Sequence, residues 1–281
     1  KVVLGTDLTG KMAVVTGAGG ILCGMFARTL ARAGAAVALL DINLEAAEET
    51  ARDIREAGGT AAAYGVDVMD KEMLESVHAR VLARLGPCDI LINGAGGNQA
   101  RANTSKEYFE MGDIEADVAT FFDMEYKGVQ GVLDLNFLGG FLTCQVFAKD
   151  MVGREGCNII NISSASAARP LTRIPVYSGA VAALSNFTQW LAVHFAKAGI
   201  RVNAIAPGFF VTRQNEGLLY EEDGKPAART AKVLAATPMG RFGRPEELNG
   251  ALMFLLNNEA AGFITGIILP VDGGFSAYSG V

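Results

Sequence analysis

The feature that most constrains the fold is an alternation of short apolar runs with longer amphipathic segments, which begins near the amino terminus. Residues 11–16 form an apolar run, residues 17–20 are rich in glycine, and residues 22–33 carry apolar side chains at helical spacing. Short apolar runs are typical of buried parallel strands, and strands that alternate with helices predict a sheet covered on both faces. We therefore expect an α/β fold with a doubly wound parallel sheet, in a single domain spanning residues 1–281.

The alternation continues along the chain and is interrupted twice. Residues 97–128 are polar and acidic and form a long insertion, while residues 209–237 are interpreted as a substrate lid. The other predicted strands cover residues 36–40, 61–66, 89–92, 157–162, 200–205 and 264–271. The other predicted helices cover residues 43–57, 71–85, 131–152 and 177–198, with one more beginning near residue 244.

Composition argues against several kinds of partner. The net charge of the chain is −6 and no run of Lys or Arg occurs, so we expect no nucleic-acid partner. No uninterrupted apolar stretch reaches the roughly 18 residues that a membrane span needs, so we expect no membrane partner. The chain has two histidines and four cysteines without metal-ligand spacing, so no metal site is expected. Scattered thiols of this kind suit a reducing cytoplasm.

The glycine-rich loop after the first strand predicts a site for the phosphates of a nucleotide. Glycine allows the backbone to approach a diphosphate closely, and the following helix begins with free N–H groups and a positive dipole end. A purely structural turn would give the same pattern, so the loop alone is a weak signal. The candidate phosphate contacts are Gly17, Gly19, Gly20, Ile21 and Leu22.

The second predicted strand ends in Asp41, about 20 residues after the glycine loop, where a carboxylate can bind the hydroxyls of an adenosine ribose. A carboxylate there would repel a 2′-phosphate, so we expect NAD rather than NADP. The alternative role is a cap for the helix that follows, because Asp is a good N-cap residue.

Two hydroxyl side chains form the candidate chemical site. Ser164 follows the fifth predicted strand, and Tyr177 lies thirteen residues later at the start of a predicted helix. They can share one reacting oxygen, because both hydroxyls donate hydrogen bonds and the phenol can also pass a proton. The alternatives are a strand-end cap for Ser164 and a half-buried aromatic for Tyr177. Asn136 lies in an apolar helical pattern, where its amide needs partners.

Six motifs, in this order, resemble the short-chain dehydrogenase/reductase family. They include Thr16-Gly17, an N-N-A-G-like turn at residues 93–96, and Ser164 followed by Tyr177, where the family signature is a serine followed by Tyr-x-x-x-Lys. Four motif positions depart from the family: Ile21 and Cys23 stand at glycine positions, Gly94 stands in second place of the turn, and Val181 stands at the lysine position. The segments DLNFLGGFLTCQVFAKDMVG and PVDGGFSAYSGV, with the insertion, are more closely similar to the D-mannonate oxidoreductases of this family, also called fructuronate reductases.

The resemblance implies a Rossmann-type fold and a nicotinamide-dependent interconversion of a keto sugar acid and an aldonic acid. It implies that Tyr177 protonates the developing alkoxide, that Ser164 orients it, and that Asn136 holds a water in a proton relay. It further implies a homotetramer. The cofactor contacts that it implies, in addition to those above, are Asp67, Val68, Asn93, Gly94, Ala95, Gly96, Pro207, Gly208 and Thr212.

The position of the family lysine is occupied by Val181, one helical turn after Tyr177. An ammonium there would favour the phenolate and could bond the nicotinamide ribose, and valine can do neither. Either the substitution inactivates the enzyme, whether natural or engineered, or a displaced group replaces the ammonium, for which Lys149 and Lys197 are candidates. A non-catalytic nucleotide-binding or assembly protein of the same fold is therefore an alternative. Another is a reductase of a different carbonyl, of the gluconate type or 3-oxoacyl type.

A sugar acid would need a cation for its carboxylate. Arg169 and Arg173 lie in the loop between Ser164 and Tyr177, and a guanidinium can bind a carboxylate through two hydrogen bonds. We interpret both as candidate substrate contacts, with a solvated loop arginine as the alternative for each.

Overall fold

The computed structural model describes residues 5–211, 219 and 227–280. Seven parallel strands form one sheet in the order β3-β2-β1-β4-β5-β6-β7, so the predicted doubly wound α/β fold is confirmed. The strands are β1 (Met12–Thr16), β2 (Ala36–Asp41), β3 (Thr60–Gly65), β4 (Ile90–Asn93), β5 (Cys157–Ile162), β6 (Ile200–Pro207) and β7 (Ile268–Val271). The order reverses between β1 and β4, and ligands of such sheets bind at the carboxyl ends of strands beside that point.

Helices cover both faces of the sheet. Successive residues of a strand point to opposite faces, so Val14 belongs to one apolar cluster while Ala13 and Val15 belong to the other. The helices are α1 (Ile21–Arg32), α2 (Leu44–Glu56), α3 (Lys71–Leu85), α4 (Tyr126–Leu133), α5 (Gly139–Phe147), α6 (Pro175–Phe195), α7 (Ala228–Ala235) and α8 (Glu247–Leu256).

The helix predicted over residues 131–152 begins earlier in the structure, at Tyr126, and is divided into shorter pieces. α4 and α5 are joined by one π-helical turn, Asp134–Leu138, and a short 3₁₀ turn follows α5. By length and composition alone the run Tyr126–Met151 could cross a membrane, although 44% of its most apolar window is buried inside the fold. The run packs against α6, α3 and β4, and a core helix of this kind passes the same test.

The insertion is more ordered than its polar composition indicates. It contains three 3₁₀ turns, two of which carry reciprocal capping boxes, Glu110 with Asp113 and Thr120 with Asp123. Lys106 pairs with Glu110 at 2.6 Å and with Asp113 at 2.7 Å, and Asp113 is buried. The insertion therefore forms a structured wall beside the carboxyl ends of the strands.

Two further segments differ clearly from the prediction. The last strand covers only Ile268–Val271, because Thr265 and Gly266 first bond to Val202 and turn the chain into the sheet. The predicted lid contains α7, while residues 212–218 and 220–226 lie outside the described part of the chain. Thr212, a predicted cofactor contact, therefore also lies outside the described residues.

Candidate active site

The loops after β1 and β4 are joined by one threonine. Thr16 Oγ1 accepts hydrogen bonds from the backbone N–H groups of Gly94 and Ala95, at 3.0 and 3.1 Å. Gly17 has φ +68°, and a Cβ atom there would come within 3.0 Å of the backbone of Ala95. Only glycine fits this position easily, so the two loops form a single platform at the reversal point of the sheet.

The amino terminus of α1 is open to an anion. Gly20 at its N-cap position gives no side-chain hydrogen bond, and the first turn has no acidic residue. By contrast, the side chains of Asn43 and Asp70 cap α2 and α3. The first N–H groups of a helix have no partner within the helix, and they attract anions. The loop Gly17–Leu22 therefore fits the diphosphate of a dinucleotide.

Asp41 links the phosphate loop to the start of α2. Its Oδ2 atom accepts from Gly19 N at 2.9 Å and its Oδ1 atom accepts from Asn43 N at 2.8 Å. The N-cap of α2 is Asn43, so Asp41 does not have the capping role considered as its alternative. Each carboxylate oxygen keeps further acceptor capacity, so Asp41 can bind ribose hydroxyls while it holds the loop.

Other predicted cofactor residues lie at the same edge of the sheet but differ in accessibility. Asp67 Oδ1 accepts from Met69 N at 2.9 Å, whereas Val68 is buried in the core. The amide of Asn93 is also buried and donates to Asn161 Oδ1 at 2.8 Å and to Cys144 Sγ at 3.1 Å. The side chains of Val68 and Asn93 therefore support the platform from below.

The loop after β6 returns to the sheet at Gly208. Its backbone N–H donates to the carbonyl of Val271 at 2.9 Å, and a Cβ atom at Gly208 would clash with Asp272. Pro207 ends β6 beside it. This close approach explains the Pro-Gly pair and leaves both residues at the carboxyl edge, where a nicotinamide ring is expected.

The hydroxyl of Ser164 is directed by a second serine. Ser164 Oγ accepts from Ser166 N at 3.2 Å and from Ser166 Oγ at 3.0 Å, and Ser166 is buried. A serine hydroxyl has two acceptor lone pairs and one proton. Because both lone pairs are used, the proton of Ser164 remains for donation to a substrate oxygen or to Tyr177.

Tyr177 lies in the first turn of α6, which begins with Pro175 at a favourable position. Burial raises the pKa of the Tyr177 phenol above its ordinary value, and a hydrogen bond with the Ser164 side chain opposes this rise. Among the described residues, no cation contributes to the pKa of Tyr177. The phenol is therefore held in its neutral form, which can act as a proton donor.

Val181 lies one turn further along α6 and is 2% exposed. Its carbonyl accepts hydrogen bonds from Ser163 at 3.2 Å and from Ser185 at 2.9 Å. Lys197 follows the far end of α6, about 30 Å from Tyr177 at ~1.5 Å per residue. Lys149 lies in the turn before β5, at the edge where the strands begin. Neither lysine is placed to replace the missing ammonium.

Asn136 lies in the π-helical turn and holds the chain beyond the β4 turn. Its Nδ2 atom donates to the carbonyls of Gly97 and Val132, at 2.7 and 2.8 Å, and its Oδ1 atom accepts from Gly97 N at 3.0 Å. Both side-chain N–H groups are thus used within the protein. The side chain positions the entrance to the insertion, and only acceptor capacity on Oδ1 remains for a water.

The two candidate substrate arginines have different surroundings. Arg169 donates to the carbonyl of Tyr278 and so holds the carboxyl-terminal segment. Arg173 lines a cavity of about 420 Å³ between the insertion and α7. Its φ of 74° makes it the only non-glycine residue with positive φ in the described part of the chain. Such strain is often found at ligand sites.

Sequence reasoning missed Ser166, which lies two residues after Ser164. A hydroxyl pair at this spacing is a known local hydrogen-bonding pattern, so the signal was present in the sequence. The contribution of α7 to the cavity beside Arg173 had no such local signal, because it arises only from the tertiary packing.

Similarity to known proteins extends over nearly the whole chain. A family model described as enoyl-(acyl carrier protein) reductase matches residues 20–276. An uncharacterised oxidoreductase of Haemophilus influenzae is 54% identical over 275 residues, covering 98% of this chain and 96% of that protein. The uncharacterised oxidoreductase UxuB of Bacillus subtilis is 49% identical over 276 residues, covering 98% of each.

A solved structure gives the same result for the fold. The structure of a proposed D-mannonate oxidoreductase from Haemophilus influenzae with bound NAD is 54% identical, with a TM-score of 0.95 and 98% coverage of both chains. The geometry, the family model and these relatives agree over nearly the whole length. The protein belongs to the short-chain dehydrogenase/reductase family of oxidoreductases.

Proposed function

We propose that the protein is an NAD-dependent oxidoreductase that interconverts a keto sugar acid and an aldonic acid, of the D-fructuronate and D-mannonate type. The observation that carries the proposal is the directed proton of Ser164 beside the neutral phenol of Tyr177. The NAD bound to the 54% identical Haemophilus influenzae protein supports the cofactor. Its description as a proposed D-mannonate oxidoreductase supports the substrate class.

The residues of the protein have separate roles in the proposed reaction. NAD, when bound, would exchange a hydride with the carbon that carries the reacting oxygen. In reduction, Tyr177 gives its proton to that oxygen, and Ser164 donates a hydrogen bond to the developing negative charge. The α1 amino terminus and Asp41 hold the two ends of the adenosine diphosphate, and Asn136 holds the insertion against the site.

Val181 lowers the proposed activity. It supplies no charge for a phenolate and no donor for the nicotinamide ribose, and neither Lys149 nor Lys197 lies close enough to do so. The same observation supports a second candidate, a non-catalytic nucleotide-binding or assembly protein of this fold. The intact pair of Ser164 and Tyr177 favours the enzyme.

A substrate panel tests the proposal. D-Mannonate, D-gluconate and a 3-hydroxyacyl thioester are offered with NAD to the unaltered protein and to its Val181→Lys variant. We expect D-mannonate to have the highest kcat/KM in both proteins. A preference for D-gluconate or the thioester would assign another carbonyl substrate. NAD binding without turnover in either protein would favour the non-catalytic alternative.

The exposed apolar side chains and the cysteines bear on the oligomeric state and the cellular compartment that we expect for the enzyme. Exposed Trp190 and Val193 on α6 are compatible with contacts between copies, so we expect a homo-oligomer, a tetramer by family resemblance. All four cysteines are free and buried, which suits a reducing cytoplasm. Light scattering of the purified protein tests the tetramer.

A further inference from the structure

The cavity beside Arg173, called here the outer cavity, carries an excess of positive charge. It lies between the insertion, the loop that leads to Tyr177, and α7. Its described lining contains three cations, Arg173, Arg229 and Lys232, and one acid, Glu107. Apolar side chains, including Phe209 and Phe275, form the rest of the wall. A small anion with an apolar or polyhydroxyl body matches this lining.

The single acid is already paired. Lys232 Nζ lies 2.6 Å from Glu107 Oε1, so this ion pair joins α7 to the insertion at the cavity wall. Arg229 has no hydrogen-bond or ion-pair partner among the described residues. Most other arginines that line a cavity here do have one: Arg28 pairs with Asp53, and Arg241 with Glu247. The guanidinium of Arg229 is therefore available to a ligand.

Arg229 also lies between the outer cavity and the carboxyl edge of the sheet. It lines a second cavity, of about 410 Å³, whose other walls include Leu22, Pro207 and Gly208. Pro207 and Gly208 lie where the nicotinamide ring is expected, and Leu22 ends the loop that is expected to bind the diphosphate. A substrate bound beside that place would meet Arg229 on the wall that the two cavities share.

Arg173 is fixed on the opposite wall by the insertion. Thr104 N donates to the carbonyl of Arg173 at 2.9 Å, and Arg173 Nε donates to the carbonyl of Thr104 at 3.3 Å. These two bonds hold Arg173 in its left-handed backbone conformation, four residues before Tyr177. Its remaining guanidinium N–H groups face no carboxylate within the described structure.

We propose that Arg229 and Arg173 together form a carboxylate-binding subsite that selects acids over neutral polyols. The subsite deepens the proposed function and rests on it for the identity of the acid. Two guanidinium groups can bind one carboxylate through several charge-assisted hydrogen bonds. The pair of Lys232 and Glu107 does not compete for the carboxylate, because its charges neutralise each other.

Calorimetric binding to the NAD-saturated protein tests the subsite, with Tyr177→Phe introduced throughout to prevent turnover. The probes are D-mannonate, D-gluconate and the neutral polyol D-mannitol. We expect Arg229→Met to lower the affinity for D-mannonate about tenfold or more, because hydrogen bonds to a charged group are lost. The affinities for D-mannitol and NAD should not change. Arg229→Lys should recover part of the loss. Arg84→Met is the control, because it removes an exposed arginine at the far end of α3. It should not change the affinity for any of the three probes.

The outcomes separate the subsite from the proposed substrate. Unchanged D-mannonate binding in Arg229→Met, or an equal loss for D-mannitol, would overturn the subsite while leaving the proposed function in place. Arg229-dependent binding of D-gluconate without binding of D-mannonate would keep the subsite and remove the proposed substrate. If neither acid binds the protein that retains Arg229, both proposals fail.

Discussion

The sulfur atom of Cys23 occupies the space that a side chain at position 94 would need. A Cβ atom added to Gly94 would collide with Cys23 Sγ, and the backbone of Gly94 is outside the left-handed region, so the conflict is steric. Both residues depart from the family motifs, since Cys23 replaces a glycine and Gly94 replaces an asparagine. The two departures compensate each other across the platform that would carry the cofactor.

A double-mutant cycle measures this compensation. Gly94→Asn should lower the free energy of unfolding by about 1–3 kcal/mol, because it overpacks a filled site, and should weaken NAD binding. The added change Cys23→Gly should restore most of both losses. Gly112→Asn is the control, because a Cβ atom there meets nothing within 4 Å. Additive effects on thermal unfolding and on NAD titration would show that the two positions are independent.

The fold could be predicted because the sequence signals of its strands and helices are local. Parts of the site could not be predicted, because they depend on contacts between distant segments. The runs that became β1 and β2 show their burial in their own composition, and Asp41 and Tyr177 follow from position relative to those elements. The π-helical turn around Asn136 has no sequence signal, and the hydrogen-bond partner of the Asn136 side chain, Gly97, belongs to a distant segment. The packing of Cys23 against Gly94, and the cavity that Arg229 and Arg173 both line, exist only once distant segments have packed.

The carboxylate of Asp41 should determine the choice of cofactor. Because hydrogen bonds from Gly19 and Asn43 fix it beside the phosphate loop, it should repel a 2′-phosphate, and NAD should bind at least tenfold more tightly than NADP. Asp41→Ala should reduce this preference by lowering the affinity for NAD and raising that for NADP. Fluorescence titration of both cofactors measures it.

Asp67→Ala is the matched control for this experiment. Asp67 follows β3 and also accepts a backbone hydrogen bond, but the family resemblance implies that it contacts the adenine, which both cofactors share. Its loss should therefore affect both affinities equally. Equal affinity for NAD and NADP in the unaltered protein would remove the ribose role of Asp41.

Ser166 should act as a positioning residue for Ser164. In a Val181→Lys background, Ser166→Ala should lower kcat about fivefold, the effect of losing one hydrogen bond of ~1 kcal/mol, with little change in KM or NAD affinity. Ser163→Ala is the control, because the Ser163 hydroxyl bonds to Ser185 and to the Val181 carbonyl. That change should lower thermal stability more than kcat. If Ser166→Ala lowers thermal stability but not kcat, Ser166 has only a structural role.

The last prediction concerns the charge that is missing at Val181. Burial holds the pKa of Tyr177 above its ordinary value, so at neutral pH the phenol is protonated. Oxidation of an alcohol needs the phenolate as base, and its rate in the unaltered protein should therefore rise only at high pH. An ammonium at position 181 would favour the phenolate and lower this pKa. Val181→Lys should thus increase oxidation at neutral pH and move the pH–rate profile to lower pH by about one unit or more.

The reduction direction and a neutral variant complete the test. Reduction uses the protonated phenol, so it avoids the protonation penalty and should gain less from Val181→Lys, through alkoxide stabilisation and ribose positioning alone. Val181→Met adds length without charge and should leave the profile where it is. If the unaltered protein oxidises rapidly at neutral pH and Val181→Lys neither accelerates it nor moves the profile, another group acts on Tyr177. Val181 would then not be the cause of any loss of activity.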